Sequence, residues 1–192
     1  MSIKGYIPCS LVDWPGLLPA VIFIGGCNLK CWYCHNAELA QHPEKFPDLD
    51  LAEILHGANR PKVGWQDGFV ITGGEPTLVP PLLGRYINII RREKLKIKVD
   101  TNGTLPSVLE KILPFVDLVA MDIKAPLNQA DYESVTGPVE INNIKRSIEL
   151  LKHSGKVMFR TTAAPGIDIE RIQKELDAPL VVQPWRPQDD GR

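Results

Sequence analysis

Short apolar runs rich in β-branched residues alternate with longer amphipathic stretches along nearly the whole chain. Short β-branched runs predict buried strands, and apolar residues spaced three and four apart predict helices with one buried face. Regular alternation of the two is typical of βα units on a parallel sheet. Six strands are predicted, at residues 20–26, 68–72, 96–100, 117–123, 156–162 and 179–185. Five helices are predicted between them, near residues 50–59, 80–94, 106–115, 142–153 and 168–177.

Six strands and five helices are too few for a closed eight-stranded barrel, so we expect an α/β fold that forms an open, partial (β/α)6 barrel with parallel strands. The chain has 192 residues, 44% of them hydrophobic, which suits one domain with a continuous core. Residues 1–19 are expected to form a lead-in and residues 186–192 a frayed tail. Asp50 and Asn142 are predicted to cap helices.

The formal net charge is −1 with both signs interspersed, so the composition indicates neither a nucleic-acid-binding face nor a membrane-binding surface. No apolar window reaches the roughly 18 residues of a spanning helix, and the amino terminus lacks a signal-peptide pattern. The sequence therefore predicts a cytoplasmic protein. In that reducing compartment, clustered cysteines bind metals or act in catalysis more often than they form disulfides. Cys9 stands apart and is predicted to be buried or half-buried.

Three of the four cysteines, Cys27, Cys31 and Cys34, lie close together after the first predicted strand. A structural zinc site requires four ligands, so His35 or His42 would have to complete a Cys3His set. Alternatively, three thiolates on one loop can ligate three irons of a [4Fe–4S] cluster and leave the fourth iron open to a substrate. The spacing alone leaves both alternatives open.

Polar motifs follow several of the other predicted strands. In TGGEP (72–76), Gly73 and Gly74 would let the backbone approach a ligand closely, and the Glu75 carboxylate could pair with an ammonium group. The simpler alternative is an ordinary strand-to-helix turn. Further motifs stand at DTNG (100–103) and MDIK (121–124). Because the carboxyl ends of parallel strands meet at one edge, we expect these motifs to surround a single site.

Together, the C-x3-C-x2-C spacing and the GGEP-type motif resemble the radical S-adenosylmethionine (SAM) superfamily over nearly all of the chain. The resemblance implies a partial barrel in which a [4Fe–4S] cluster binds SAM at its open iron and cleaves it reductively to a 5′-deoxyadenosyl radical. The cluster ligands, and with them the catalytic residues, would be Cys27, Cys31 and Cys34. The adenine would contact Tyr33. The methionyl amino group would bind at Gly73, Gly74 and Glu75.

Four motifs narrow the resemblance to the activating enzymes of glycyl-radical enzymes: SLVDWPG (10–16), CHN (34–36), DTNG and MDIK. The chain is most similar to the longer form of the activating protein of anaerobic ribonucleoside-triphosphate reductase. This resemblance implies hydrogen abstraction from a glycine Cα of a partner glycyl-radical enzyme, with electrons from a low-potential donor such as flavodoxin. Asp13 matches a position near the place where that glycine would enter, and Trp14 is predicted to be a core residue.

The resemblance also assigns roles to residues at the strand ends. In pyruvate formate-lyase activase, aspartates at the positions of Asp100 and Asp122 hold a monovalent cation, and a lysine at the position of Lys124 lines the same site. Charge alone agrees, because two neighbouring aspartates would repel one another unless a cation or a shared proton lay between them. The simpler alternative is that Asp122 caps a turn and Lys124 pairs with it at the surface. Asn102 would contact the ribose or hold its turn. Arg160 would contact the ribose or carboxylate of SAM, or a structural carboxylate.

Three other functions remain open at this point. The chain could be a radical SAM enzyme for a small molecule, like the synthase of 7-carboxy-7-deazaguanine, although the pairing of DTNG with MDIK speaks against it. It could be a zinc-binding module without catalytic activity. It could also be a ferredoxin that only transfers electrons. Gln183 is a weaker candidate for the site.

Overall fold

A seven-stranded sheet forms the framework of the molecule in the computed structural model, which describes residues 1–56 and 66–187. The strands are β1 (Ile3–Ile7), β2 (Pro19–Ile24), β3 (Gly68–Gly73), β4 (Lys96–Thr101), β5 (Leu118–Asp122), β6 (Val157–Ala163) and β7 (Leu180–Pro184). They lie in chain order across the sheet. β1 is antiparallel to β2, and all pairs from β2 to β7 are parallel. The sheet is open, with β1 and β7 at its edges, and the predicted partial barrel with six parallel strands is confirmed.

Strand β1 lies within the stretch expected to be a lead-in and was not predicted. It has five residues, its register with β2 shifts between Ile3 and Gly5, and of its side chains only Ile3 is fully buried. A strand this short, with a lysine and a glycine among its five residues, carries no period-two pattern of apolar residues, so the sequence gives no signal for it.

Seven helices cover the sheet among the described residues. They are α1 (Ala37–Gln41), α2 (Leu51–His56), α3 (Pro80–Arg92), α4 (Pro106–Ile112), α5 (Gln129–Thr136), α6 (Ile141–Lys152) and α7 (Ile169–Leu176). Five of them confirm the predicted helices, except that residues 57–59 of the first prediction lie outside the described residues. The same holds for residues 188–192 of the predicted tail. Helices α1 and α5 were not predicted.

Two local predictions were wrong. Asn142 does not cap α6, because the helix begins one residue earlier and the Glu140 side chain accepts from the Asn142 N–H instead. Cys9 is exposed, since it lies in the connection between β1 and β2 and not in an apolar layer. The predicted cap at Asp50 is confirmed, as its carboxylate accepts from the N–H groups of Ala52 and Glu53.

The two faces of the sheet differ in character. Apolar side chains on the outer face pack with the buried stripes of the helices into one large core. On the inner face, Trp14 packs against Val21 and Val70 in a second, small cluster, as predicted for a core residue. Further along the inner face, β4 carries Lys98 and Asp100, which are both buried. The inner face is therefore apolar at one side and charged where the cavity lies.

Candidate active site

A cavity of about 330 Å³ opens at the carboxyl ends of the parallel strands. Its wall contains residues from each of the motifs that the sequence singled out. The residues that line it include Asp13, Cys27, Cys31, Tyr33, Cys34, Gly73, Gly74, Asp100, Asn102, Asp122, Lys124, Arg160 and Gln183. Of the predicted site residues, Glu75 is the one that does not line the cavity. The structure thus brings the other predicted residues together around one space.

The cysteine loop between β2 and α1 is held by backbone hydrogen bonds from both sides. The N–H groups of Gly26 and Cys27 donate to carbonyl oxygens of α1 at 3.1 and 3.0 Å. The N–H groups of Lys30 and Trp32 donate to carbonyl oxygens at the last turn of α5 at 2.8 and 3.3 Å. The two helices that the sequence did not predict therefore fix the loop that carries the three thiols.

The thiols are partly buried beside the cavity. Burial raises the pKa of Cys27 to about 11 and also raises the pKa of Cys31. A thiolate here would need positive charge or donors nearby, as a metal centre supplies. Two donors already point at the Cys27 sulfur, the Leu29 N–H at 3.4 Å and the Asn102 side-chain amide at 3.8 Å. Within the described ranges, no three His, Cys, Asp or Glu side chains surround a single ion position.

The glycines of TGGEP allow this motif to lie close to the backbone of residues 24–26. Gly73 has φ +120°, and a Cβ on it would overlap the backbone of Ile24. A Cβ on Gly74 would overlap the carbonyl oxygen of Gly26. The N–H groups of Gly74 and Glu75 donate to Ile24 and Gly26 at 2.7 and 2.8 Å, which continues the β2–β3 pairing past the strand ends. The absence of Cβ atoms therefore allows the cysteine loop to lie against this motif, while both glycines also line the cavity.

Glu75 is fully buried behind the cavity wall. Its Oε1 accepts from the Thr77 N–H at 3.0 Å, the Thr77 hydroxyl at 2.5 Å and the Thr101 hydroxyl at 2.9 Å. Its Oε2 accepts from the Asn102 N–H at 2.6 Å. Burial raises the pKa of Glu75, and these four donors oppose that shift. The carboxylate thus ties the end of β3 to the end of β4, and direct contact with an ammonium group stays a prediction.

A chain of alternating charges crosses the cavity wall from β4 to the end of β5. Lys98 Nζ lies 2.8 Å from Asp100 Oδ1, and Asp100 Oδ2 accepts from Arg160 Nη1 at 3.1 Å. Arg160 Nε donates to Asp122 Oδ1 at 2.8 Å, and Asp122 Oδ2 accepts from Lys124 Nζ at 3.0 Å. Three cations therefore face two carboxylates.

The charge chain places a protein cation between the two aspartates, where the sequence predicted a metal ion or a shared proton. Arg160 lies between Asp100 and Asp122 and bonds to both, so their repulsion is already neutralised by the protein. Burial would raise the pKa of Asp122, but Arg160 and Lys124 outweigh it and hold the pKa at about 2. Likewise, burial would lower the pKa of Lys124, and Asp122 raises it well above its usual value. Of the two functions that the sequence allowed for Arg160, contact with structural carboxylates is present.

Asn102 holds a small network next to the cysteine loop. Its side-chain amide donates to Asn28 Oδ1 at 3.0 Å, and its oxygen accepts from the N–H and hydroxyl of Thr104 at 3.0 and 2.7 Å. Asn28 in turn donates to the Thr104 hydroxyl at 2.9 Å. Asn102 thus holds its own turn, as one of the two predictions stated, and it lines the cavity as well.

The aromatic residue before the third cysteine is buried. The Tyr33 ring meets Trp32 edge-on at 5.2 Å, its hydroxyl donates to the Lys124 carbonyl oxygen at 3.4 Å, and burial raises its pKa to about 12. Tyr33 lines the cavity, so its predicted contact with adenine is sterically possible and stays a prediction.

Lys98 is the main functional candidate that reasoning from the sequence missed. Its side chain is 1% exposed, and its ammonium donates to the carbonyl oxygen of Asp13 at 2.7 Å. The contact to Asp100 Oδ1 is an ion pair without hydrogen-bond geometry, and that oxygen accepts no hydrogen bond. The sequence does contain a signal, because KIKVD places Lys98 on the same face of its strand as Asp100.

Comparison with known proteins identifies the family. The model of the radical SAM superfamily matches residues 21–178, which is most of the chain and contains the cysteine loop, TGGEP, DTNG and MDIK. The chain belongs to the radical SAM superfamily. It is therefore a radical SAM enzyme, and membership implies SAM and a [4Fe–4S] cluster as its cofactors.

Curated relatives of the enzyme include activating enzymes. A protein of Methanocaldococcus jannaschii described as a candidate glycyl-radical enzyme activating enzyme is 32% identical over 97% of this chain and 81% of its own length. The 7-carboxy-7-deazaguanine synthase of Geobacter sulfurreducens is 29% identical over 88% of this chain and 74% of its own length. The pyruvate formate-lyase-activating enzyme of Streptococcus mutans is 30% identical over 81% of this chain and 62% of its own length.

Solved structures confirm the fold. TYW1 with a bound lysine–pyruvate adduct has a TM-score of 0.66 at 17% identity, covering 90% of this chain and 67% of TYW1. SuiB of Streptococcus suis bound to S-adenosylmethionine has a TM-score of 0.64 at 19% identity, covering 88% of this chain and 41% of SuiB. Among the described residues, no helix has the length and apolar character needed to cross a membrane.

The residues of this chain fit the cofactors that the family implies. Three thiols border one cavity, and two N–H donors already point at the sulfur of Cys27. Hydrogen bonds to sulfur are one of the means by which proteins tune the potential of iron–sulfur clusters. Lys124 and Arg160 bring cationic groups to the same cavity, where a carboxylate of a ligand could be paired.

Proposed function

We propose that the enzyme activates a glycyl-radical enzyme, and that its partner is an anaerobic ribonucleoside-triphosphate reductase. One electron and SAM would yield methionine and a 5′-deoxyadenosyl radical, which takes a Cα hydrogen from one glycine of the partner and becomes 5′-deoxyadenosine. The observation that carries the proposal is the meeting of DTNG and MDIK with the cysteine loop around one cavity. The similarity to the Methanocaldococcus protein and to pyruvate formate-lyase-activating enzymes supports it.

In this proposal Cys27, Cys31 and Cys34 hold three irons of the cluster. When bound, the cluster supplies the electron for cleavage of the carbon–sulfur bond of SAM, and a flavodoxin-type donor renews that electron. The cysteine loop has to keep its three thiols on one side of the cavity, and its hydrogen bonds to α1 and α5 do this.

Other residues of the cavity would orient SAM. Lys124 and Arg160 are the cations of the charge chain that line the cavity, whereas Lys98 does not line it. A carboxylate of the ligand would pair with these two cations. Tyr33 would pack on the adenine, Asn102 would reach the ribose, and Gly73 and Gly74 would offer backbone groups to the methionyl ammonium.

A monovalent cation beside Asp100 and Asp122 belongs to the proposal only in a restricted form. The position between the carboxylates is taken by Arg160, so a metal ion does not fit there. Asp100 Oδ1 is already paired with Lys98 Nζ at 2.8 Å, so a metal ion would have to bind beside these ion pairs and not between them. Rates of SAM cleavage compared in potassium and in tetramethylammonium buffers would test it, and equal rates would remove the cation from the proposal.

The decisive experiment combines the protein with the reductase. Anaerobically reconstituted enzyme, SAM and dithionite are mixed with purified anaerobic ribonucleoside-triphosphate reductase, and the glycyl doublet is sought by EPR. We expect a doublet together with 5′-deoxyadenosine. The Cys31→Ala variant should give neither, while Cys9→Ala, which changes an exposed cysteine outside the cavity, should behave like the wild type.

A second candidate function is favoured by one observation, the 29% identity to 7-carboxy-7-deazaguanine synthase over most of both chains. The same preparation should be given the substrate of that synthase, and the product sought by mass spectrometry. Formation of 7-carboxy-7-deazaguanine without any glycyl doublet would replace the proposal by this second function. Reduction of the cluster without 5′-deoxyadenosine would contradict both.

A further inference from the structure

Lys98 is a buried charge whose position none of the roles above explains. It lies in the middle of β4 and is 1% exposed, although lysine is among the residues least often buried. An ammonium group removed from water is costly unless it is paired and hydrogen-bonded. Its two partners are the carboxylate of Asp100 on the same strand and the main-chain carbonyl of Asp13, which is 85 positions away in the chain.

The Asp13 carbonyl belongs to a segment, residues 10–14, that connects the cavity with the surface. Asp13 lines the cavity, whereas its neighbours Leu11 and Val12 are 80% and 85% exposed. The Ser10 hydroxyl donates to Asp13 Oδ2 at 2.5 Å and accepts from the N–H groups of Val12 and Asp13, so these hydrogen bonds are internal to the segment. At the ends of the segment, the Ser10 N–H donates to Pro19 of β2 at 2.9 Å and Trp14 packs on Val21 and Val70. The hydrogen bond from Lys98 joins Asp13, which lies between these two contacts, to β4.

We propose that Lys98 is a positioning residue that holds segment 10–14 against the cavity so that the segment can receive the protein substrate. The inference rests on the proposed function, since it assumes a macromolecular substrate that contacts the rim of the cavity. Two adjacent exposed apolar residues beside a cavity-lining aspartate give such a substrate a surface to contact. Because the same ammonium contacts Asp100, the segment is fixed relative to the charge chain that borders the cavity.

The test compares Lys98→Met with Lys96→Met, which changes an exposed lysine on the same face of the same strand. Purified anaerobic ribonucleoside-triphosphate reductase is the protein substrate, and formation of the glycyl radical is followed at varied reductase concentration. For Lys98→Met we expect the KM for the reductase to rise about tenfold, the effect of losing one charge-assisted hydrogen bond. Cleavage of SAM without the reductase should change less than about twofold, because Arg160 still holds Asp100.

Two results would overturn the inference. The KM for the reductase could be the same in both variants, or SAM cleavage without the reductase could fall as far as the reaction with it. The second result would mean that Lys98 serves the SAM site and not the segment. If Lys98 only stabilised the fold, Lys98→Met would lower the cluster content, SAM cleavage and glycyl-radical formation together. Comparing SAM cleavage with glycyl-radical formation detects this case.

Amide hydrogen exchange separates this inference from the proposed function. In Lys98→Met without ligands, the amides of residues 10–14 should exchange about tenfold faster while those of β2 stay unchanged. Lys98→Gln, which keeps a donor, should show a smaller increase and serves if the methionine variant does not fold. Unchanged exchange contradicts the inference even if the wild type makes glycyl radicals. Exchange could instead be faster in Lys98→Met while the wild type makes no glycyl radical. That result would confirm that Lys98 holds the segment, and it would overturn the role of the segment in receiving a protein substrate.

Discussion

At the scale of single residues, Glu75 shows how a motif residue can shape the site from behind its wall. Its two carboxylate oxygens face different backbone donors, with Thr77 N–H on Oε1 and Asn102 N–H on Oε2. Thr77 follows β3 and Asn102 follows β4, so this one side chain sets the spacing of two loops that border the cavity. A carboxylate, which accepts at both oxygens, is the group that such a position requires.

Glu75→Gln should therefore destabilise the protein although it keeps the shape of the side chain. In either orientation of the amide, its NH2 group faces a backbone N–H, and one buried donor loses its acceptor. We expect the free energy of unfolding to fall by about 1–3 kcal/mol. Urea unfolding of the cluster-free protein measures it, with Glu110→Gln, at an exposed helix position, as the control. Equal midpoints for the two variants would show that Glu75 does not carry this structural role.

Asp122 gives a pH dependence of known sign. Its pKa is about 2 in the folded protein against an ordinary value of 3.8, mainly because Arg160 and Lys124 outweigh the effect of burial. Since the folded pKa lies below the unfolded one, the stabilisation is complete above about pH 4 and is lost as the pH falls towards 2, a loss on the order of 2 kcal/mol.

The Asp122→Asn variant should show a shallower fall in the free energy of unfolding between pH 4 and 2 than the wild type. Asp177→Asn is a suitable control, because Asp177 is exposed and its left-handed conformation is one that asparagine also adopts. Denaturant midpoints measured at half-unit pH steps give the two slopes. Parallel curves for wild type and Asp122→Asn would contradict the ion pairs with Arg160 and Lys124.

The motif residues could be predicted because their types and spacing indicate the chemistry. The long-range contacts that these residues make in the folded protein could not be predicted. Lys98 stands in an apolar strand, where periodicity gives its face but not its partner 85 positions away. Gly73 and Gly74 line the cavity, but a Cβ on Gly73 would overlap the backbone at the end of β2 and one on Gly74 the start of the cysteine loop, which are long-range contacts. Similarly, the repulsion expected between Asp100 and Asp122 was resolved by Arg160 from a third strand.

At the scale of elements, the two short helices that escaped prediction are those that hold the cysteine loop. Helix α1 has five residues and α5 has eight with two buried apolar side chains, so neither carries an apolar stripe over several turns. Their stability comes from tertiary contacts, which sequence periodicity does not report. The carbonyl groups at their ends accept from the loop, so the geometry of the thiols depends on both helices.

Removing the amino-terminal cap of α5 should therefore affect the cysteine loop, which is bonded to the other end of this helix. Asn128 caps α5, with its side-chain oxygen accepting from the Asp131 N–H at 3.0 Å. Asn128→Ala should cost about 1 kcal/mol of stability and reduce iron and sulfide retained after desalting. Asn142→Ala, an exposed asparagine inside α6 that caps nothing, is the matched control and should retain the wild-type content. Equal iron content in both variants would mean that the loop keeps its geometry without a stable α5.

At the scale of the whole molecule, the fold followed from the alternation of strands and helices, because each βα unit buries a local pattern that the sequence displays. The open sheet followed from counting units. The antiparallel edge strand β1 did not, since its pairing with β2 is made at the edge and depends on backbone hydrogen bonds more than on an apolar pattern. The cavity collects residues from, or directly after, each of the six parallel strands, so a ligand that fills it would contact the carboxyl ends of all six.

Binding of SAM should consequently stabilise the whole fold and not one loop. A ligand that binds only the folded state at 100 times its Kd adds about 2.7 kcal/mol, which for a chain of this size is a Tm increase of about 5–10 °C. Anaerobic thermal unfolding of cluster-loaded protein over a series of SAM concentrations measures the shift, which should grow with the logarithm of concentration. Cluster-free protein should show a much smaller shift, because SAM then lacks the open iron. A shift of the same size with and without the cluster would place SAM away from the three cysteines, and amide exchange slowed at the ends of β3 to β7 alike would confirm that one ligand spans them all.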